Sequence, residues 1–171
     1  MTMTDEHKAT LTLQAEDQIL LTREFDAPRR LVYKAWTTPE LVARWWTARR
    51  GSAKEMEIDL RVGGRWRYAM ETDDGQEAAF HGEYREIVPG EKIVSTEVYE
   101  GAPLPEEELE ANATVNTVSF AEQDGRTVVR MLIQCPSREV RDMIVASGME
   151  DGLQDALDLL EGVALALELG G

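Results

Sequence analysis

Turn signals at short intervals constrain the middle of this chain more than any other feature of its sequence. They fall at Gly63-Gly64, Asp73-Asp74-Gly75, Pro89-Gly90, Gly101-Ala102-Pro103 and Asp124-Gly125. The runs between them have the length of strands, and residues 65–72 alternate apolar and polar side chains with the period of a half-buried strand. Connections this short join antiparallel neighbours. Together with a strand at residues 19–25, the pattern predicts an antiparallel meander of six to seven strands.

Helix signals stand before the meander. Asp26-Ala27-Pro28 and Thr38-Pro39-Glu40 each place a capping residue and a proline at a helix start. Apolar residues follow each start at helical spacing. The sequence therefore predicts two short helices arranged as a V directly after the first strand.

A long helix is predicted after the meander. Apolar residues recur at helical spacing from Met149 to Leu167, with acids mostly on the opposite side, which is typical of an amphipathic helix of about twenty residues. A shorter helix, capped by Ser137, is separated from it at Gly148. The acidic run Glu106-Glu107-Glu108 is interpreted as a loop.

These elements predict an α+β fold in one domain. Only the C-terminal helix is large enough to cover the apolar face of the sheet, so we expect a curved antiparallel sheet wrapped around that helix. Strong curvature leaves room for a cavity between the two. We assign residues 1–17 to an N-terminal arm, in which residues 10–13 alternate like a first strand segment, and residues 18–169 to the domain.

Charge and cysteine content narrow the function classes. With 33 Asp and Glu against 18 Lys and Arg, the net charge is -15, which argues against nucleic-acid binding because that requires a positive surface. The N-terminal residues lack a signal-peptide layout and no long apolar run is present, so we expect a cytoplasmic protein without membrane insertion. Cys135 is the sole cysteine, which excludes an intrachain disulfide and a cysteine-based zinc site. No cofactor and no metal site are expected.

Several ordered motifs resemble one protein family. They are Arg23-Glu24-Phe25-Asp26-Ala27-Pro28, Ala35-Trp36-Thr37-Thr38-Pro39-Glu40-Leu41, Arg44-Trp45-Trp46, Val62-Gly63-Gly64-Arg65-Trp66, His81-Gly82-Glu83-Tyr84-Arg85-Glu86-Ile87 and Gly148-Met149-Glu150-Asp151-Gly152. Over about residues 18 to 168 the chain is similar to the heat-shock-protein-90 ATPase activator-like family of the START-like, or SRPBCC, superfamily. The resemblance implies a helix-grip fold.

The same resemblance suggests a range of functions. Members of the superfamily bind lipids, polyketides, plant hormones and other hydrophobic molecules, and a minority catalyse cyclisation or ring opening. The chaperone-activating role belongs to eukaryotic members with an additional N-terminal domain, which we expect to be absent here. Family members often carry Trp after the position of Gly152, where this chain has Leu153, so the resemblance implies a wider pocket.

Aromatic and thioether side chains are the candidates for lining the cavity. Trp36 and Trp45 lie on apolar helix faces and are interpreted as anchors to the sheet. Trp46 and Trp66 suit a cavity wall or mouth and packing equally, as do the methionines. The predicted lining is Trp46, Trp66, Tyr68, Met70, Met131, Met149, Leu153 and Leu157.

The charge distribution adds a predicted cavity rim. Residues 44–67 hold seven bases and three acids, a local +4, whereas residues 139–168 hold one base and eight acids, a local -7. Mutual attraction of two solvated faces explains this pattern. The sharper hypothesis places Arg49 and Arg50 at the rim, where they attract the acidic head of an amphipathic ligand.

Acid–base groups for catalysis are few. His81 and Glu83 share a strand face and, with Tyr84, are the weak catalytic candidates. An outward-facing strand histidine is the interpretation that we favour. The sequence contains no HExxH, GxSxG or P-loop motif.

Three functional hypotheses follow. The first is a non-enzymatic module that binds a small hydrophobic or amphipathic ligand in the cavity, with a stress-related role. The alternatives are an enzyme of the polyketide cyclase or hydrolase type that uses the same cavity, and a chaperone-associated protein-protein adaptor. A homodimer is also expected, through an apolar edge strand or the region around Trp46.

Overall fold

The structure is a computed structural model and describes residues 9–13, 15–48, 50–100 and 105–170, except for the side chain of Glu106. The strands of the described residues are β1 (Thr10–Thr12), β2 (Gln18–Phe25), β3 (Gly51–Ile58), β4 (Arg65–Thr72), β5 (Glu77–Val88), β6 (Lys92–Tyr99), β7 (Thr114–Gln123) and β8 (Arg126–Gln134). The helices are α1 (Arg29–Thr37), α2 (Pro39–Trp45), α3 (Glu106–Ala111), α4 (Arg138–Ala146) and α5 (Met149–Gly170).

The strands form one curved, unclosed antiparallel sheet in the order β1-β2-β8-β7-β6-β5-β4-β3. The predicted α+β fold class, with its long C-terminal helix, is confirmed. The sheet has eight strands among the described residues, one more than the upper predicted count. The three residues of β1 fall inside the segment predicted as an arm and pair with β2.

Edge strand β3 was hard to recognise because its alternation is broken. The register shifts between Ala53 and Glu55, and such a bulge moves later side chains to the other parity along the chain. Its first half is also mostly exposed. The period-two signal that identified β4 is therefore missing from β3.

Helix starts agree with the sequence except in their details. Ser137 caps α4, since its Oγ accepts a hydrogen bond from Val140 N at 3.2 Å. Asp26 does not cap α1 as predicted, because Pro28 occupies the cap position and the Asp26 carboxylate accepts a bond from Arg126 Nε at 2.8 Å. The run interpreted as an acidic loop is part of α3, whose cap position is Pro105.

The core lies between the concave face of the sheet and helices α1, α2 and α5. Trp36 packs edge-to-face on Phe120 at a centroid distance of 5.6 Å and contacts Trp45 in a tilted arrangement at 5.3 Å. Trp45 also donates from Nε1 to Ala35 O at 2.9 Å. These contacts agree with the interpretation of both tryptophans as anchors, and each large apolar side chain buried here stabilises the fold by about 1.5–3 kcal/mol.

A buried arginine joins α5 to the sheet. Arg23 of β2 is only 2% exposed, and its guanidinium contacts Asp158 Oδ1 at 2.7 Å and Glu161 Oε1 at 3.3 Å, both on α5. The same guanidinium lies 5.0 Å from the ring centroid of Phe25. Because a buried charge must be paired, these contacts fix the position of α5 along β2.

Candidate functional site

The residues of the apolar stripe of α5 differ in burial along the helix. Leu157 and Leu160 are 1% and 0% exposed. Leu153 and Met149 lie one and two turns earlier on the same stripe, as the spacing of four residues requires, yet both are half-buried. The first two turns of α5 pack against the core but are less completely covered by other side chains than the turns that follow.

The concave face of the sheet also contains side chains that are only half-buried. Along β8, Val129 is fully buried whereas Met131, two residues later on the same face, is half-buried. Along β7, Phe120 is buried whereas Asn116 is half-buried. We call this less completely buried part of the concave face the inner cleft. Its residues are Trp46, Tyr68, Phe80, Glu97, Tyr99, Thr114, Asn116, Met131, Met149 and Leu153.

Aromatic rings form one wall of the inner cleft. The ring of Trp46 lies 5.4 Å from that of Tyr68 and 5.7 Å from that of Phe80, both in edge-to-face geometry. Phe80 in turn lies 5.1 Å from Tyr99. Contiguous aromatic faces with partial exposure are a common lining of small-molecule sites.

The absence of a side chain at Gly82 allows Trp66 to pack next to this wall. Trp66 contacts Tyr68 in a tilted arrangement at a centroid distance of 4.7 Å, and its Nε1 donates to Thr96 O at 3.2 Å. This bond crosses the backbone of Gly82, where an added Cβ would lie 2.6 Å from Trp66 Nε1 and closer still to Thr96 O. Only a residue without a side chain leaves room for the indole to pass.

Polar groups lie at the other wall of the inner cleft. Glu97 of β6 stands directly opposite Thr114 of β7 in the sheet register, and Asn116 donates from Nδ2 to Glu97 Oε1 at 3.5 Å. Thr114 Oγ1 and Asn116 Oδ1 are buried without a hydrogen-bond partner among the described residues. Unpaired buried acceptors are costly, so these two atoms are suited to a donor from outside the chain.

Burial also changes the acid–base properties of this wall. Desolvation raises the pKa of Glu97 to about 7, against the opposing hydrogen bond from Asn116. The pKa of the Tyr68 hydroxyl is raised well above its ordinary value, first by burial and then by the charges of Tyr84 and Glu97. Near neutral pH the Glu97 carboxyl therefore exchanges readily between its neutral and ionised forms.

The structure brings most of the predicted lining residues to the concave side. Trp46, Tyr68, Met70, Met131, Met149 and Leu153 are half-buried there, whereas Trp66 and Leu157 are buried in the adjoining core. Their role in binding a ligand stays a prediction. Sequence reasoning missed Glu97, Thr114 and Asn116, although polar residues at alternating positions of a strand, as in Thr114 and Asn116, were an available signal.

The predicted rim is described only in part. Arg49 lies outside the described residues. Arg50 is exposed, and its Nη2 lies 3.3 Å from Asp155 Oδ2 on α5. Its guanidinium is thus directed at an acid of the helix, and a role at the rim stays a prediction.

The catalytic candidates are not assembled into one site. His81 lies on the outer face of β5, where Nδ1 is 2.8 Å from Glu100 Oε2 and Nε2 is 3.3 Å from Glu110 Oε1. Glu83 is exposed on that same face, whereas Tyr84 is buried on the concave face. Arg67 and His81 together lower the pKa of Glu100, Arg67 contributing more. His81 is thus held between two acidic side chains on the outer face, away from Tyr84.

Two grooves on the outer face are less suited to an apolar ligand. They have volumes of about 580 and 680 Å³. Glu57 and Arg65 line both. Arg67 lines the first and is already paired with Glu55 and Glu100 at 2.8 and 2.9 Å. We therefore take the inner cleft as the candidate site.

Neither a metal centre nor a membrane span is found in the part of the chain that the structure describes. No three His, Cys, Asp or Glu side chains there converge on a point that could hold a metal ion. No helix there combines the length and hydropathy needed to cross a bilayer.

Comparison with known proteins gives the family. The family model described as Activator of Hsp90 ATPase homolog 1-like protein matches residues 26–164. The chain belongs to this family. The resemblance noted from the sequence motifs is thereby confirmed. No curated protein matches the chain.

Solved structures share the fold of this Activator of Hsp90 ATPase homolog 1-like chain. A protein from Rhodobacter sphaeroides is 21% identical, with a TM-score of 0.83 over 94% of this chain and 99% of its own. One from Mycobacterium smegmatis is 21% identical, with a TM-score of 0.78 over 91% and 96% of the two chains. One from Chromobacterium violaceum is 28% identical, with a TM-score of 0.74 over 88% and 98%. The fold is consistent with a ligand-binding domain.

Proposed function

We propose that this protein binds a small hydrophobic or amphipathic molecule in the inner cleft. The observation that carries the proposal is the change along α5, where Leu157 is buried but Leu153 and Met149 of the same stripe are half-buried. The facing aromatic wall of Trp46, Tyr68 and Phe80 offers apolar surface to a ligand. Burying such surface contributes about 25 cal/mol per Å² to binding.

Binding is favoured over catalysis in the same cleft. His81 and Tyr84 lie on opposite faces of the sheet, so the acid–base groups considered for a cyclase or hydrolase cannot act on one substrate.

The proposal retains a cytoplasmic location. It also retains a homodimer, which sedimentation velocity would detect as a species of about twice the chain's 19.2 kDa.

A titration with the neutral, apolar dye Nile red tests the proposed function. Leu153→Trp places a larger side chain in the inner cleft, and Val62→Trp places the same side chain on a turn residue that is 64% exposed. We expect saturable one-to-one binding to the wild type, at least about tenfold weaker binding to Leu153→Trp, and an unchanged affinity for Val62→Trp. Circular dichroism confirms that both variants are folded.

Two results would overturn the proposal. One is the absence of saturable binding to the wild type. The other is an equal effect of the two tryptophan substitutions, which would place the dye outside the inner cleft. Native mass spectrometry of the freshly purified protein gives an independent readout, since a retained hydrophobic molecule adds its mass to the folded chain and is lost from Leu153→Trp.

A further inference from the structure

The polar wall of the inner cleft offers hydrogen-bond acceptors that the protein itself leaves unused. Thr114 is 6% exposed and its Oγ1 has no partner among the described residues, and the same holds for Asn116 Oδ1. Glu97 supplies a third acceptor, because Asn116 Nδ2 occupies only its Oε1. The three side chains project from neighbouring register positions on the concave face of β6 and β7.

No basic group that the structure describes is positioned to neutralise Glu97. None of the described Lys, Arg or His side chains forms an ion pair with it. Arg23, which also lies on the concave face, is committed to Asp158 and Glu161 at 2.7 and 3.3 Å. A ligand with a carboxylate head would place its charge beside that of Glu97, which is unfavourable in a poorly solvated site.

We propose that the inner cleft selects apolar molecules with a protonated primary amine as head group, held by Glu97, Thr114 and Asn116. An ammonium has three N–H donors and no acceptor, which matches the three acceptors. Tyr68 and Trp46 are half-buried, and their rings add cation–π attraction for a cation placed near them. The net charge of -15 attracts cations toward the protein as a whole.

This inference rests on the proposed function, because the apolar tail of the ligand must occupy the inner cleft. It adds the identity of the head group. The proposed ligand has a basic head group, whereas the basic rim predicted from the sequence would attract an acidic one. We prefer the basic head because the acceptors in the cleft are buried, whereas Arg50 is exposed and paired with Asp155. Burial strengthens each contact of the ammonium with its acceptors.

Three ligands with the same eight-carbon tail separate the head group from the tail. n-Octylamine, 1-octanol and octanoate are titrated into the protein at about pH 8 by calorimetry, with the intrinsic fluorescence of its four tryptophans as a second readout. We expect octylamine to bind at least about tenfold more tightly than octanol, and octanoate to bind most weakly.

Glu97→Gln keeps the shape of the side chain and removes its charge. We expect the affinity of this variant for octylamine to decrease by at least about tenfold, so that the preference for octylamine is lost. Its affinity for octanol should not change. Glu83→Gln removes the same charge from the exposed outer face of β5 and should leave the order of the three ligands unchanged. Thr114→Val, a substitution of similar shape, should weaken octylamine by about threefold.

The outcomes distinguish the two proposals. Equal affinity for octylamine and octanol, or a preference that survives in Glu97→Gln, would refute the amine head while leaving the apolar cleft in place. Tightest binding of octanoate would refute it in favour of the basic rim. If none of the three ligands binds, the proposed function fails together with the inference.

Discussion

At the scale of single residues, Glu97 makes stability depend on pH in an unusual direction. Burial raises the pKa of its carboxyl from 4.5 to about 7 in the folded protein. Between these values the folded state keeps a proton that the unfolded state releases, so the free energy of unfolding decreases as pH rises through this window. The total change attributable to Glu97 is on the order of 3 kcal/mol.

Glu97→Gln isolates this effect from the titration of other acids. The variant cannot ionise at this position, so we expect it to gain stability relative to the wild type as pH rises from about 4.5 to about 8. Urea unfolding at several pH values measures the difference, and Glu83→Gln on the exposed face serves as the control. Parallel stability profiles for wild type and Glu97→Gln would contradict the raised pKa.

The sequence could not predict Glu97 because the pattern of β6 indicates the wrong face. Val94 and Val98, with Thr96 between them, alternate with Ser95 and Glu97 as the less polar set, yet Val98 pairs with the outer-face residue His81 and is buried on that side, where α3 packs. Glu97 and Tyr99 therefore occupy the concave face. In β4, Arg65 and Arg67 alternate with Trp66, Tyr68 and Met70, so charged and apolar side chains separate onto two faces and the pattern indicates which face is inward.

At the scale of elements, we expect that removing the two acids of α5 that pair with Arg23 destabilises the fold more than removing Arg23 itself. Asp158→Ala with Glu161→Ala leaves the charge of Arg23 buried and unpaired, which costs about 3–5 kcal/mol. Arg23→Met removes that charge and leaves Asp158, whose side chain is 59% exposed, to be solvated by water. We expect the second variant to lose clearly less stability in denaturant unfolding.

A reversed order would mean that the acids, and not the arginine, carry the desolvation cost. Asp155→Ala, whose exposed ion pair with Arg50 spans 3.3 Å on the same helix, is the matched control. Exposed pairs contribute about 0–1 kcal/mol, so this variant should lie close to the wild type.

Short elements are harder to predict from sequence patterns than long ones. Long elements with a clear period, such as α5 and β4, are predicted from sequence because many residues repeat the same signal. β1 has three residues and α3 has six, too few to repeat a period. Both are stabilised by contacts with a neighbouring strand, which the local sequence does not encode.

At the scale of the whole molecule, the regular turns and the terminal helix predicted the architecture because each strand connection restricts the topology. The inner cleft was harder to predict, since an unfilled region depends on the absence of side chains from several elements at once. Leu153 and Leu157 have the same residue type and lie on the same helix face, but only Leu157 is covered. The difference in burial therefore depends on the side chains that other elements place opposite each leucine.

The net charge of -15 leads to a prediction about the whole chain. Folding brings the acids closer together, which destabilises the compact state by self-repulsion. The exposed ion pairs that salt also weakens contribute little each, so repulsion dominates. Raising NaCl from about 10 to about 150 mM shortens the screening length from about 30 to about 8 Å, and we expect Tm to rise by about 2–4 °C.

Differential scanning calorimetry at pH 8 measures this change. KCl in place of NaCl should give the same shift, because screening depends on ionic strength and not on the identity of the cation. A Tm that decreases with salt would show that ion pairs such as Arg67 with Glu55 and Glu100 outweigh the excess of acids. A shift with NaCl but not with KCl would indicate a bound ion instead of screening.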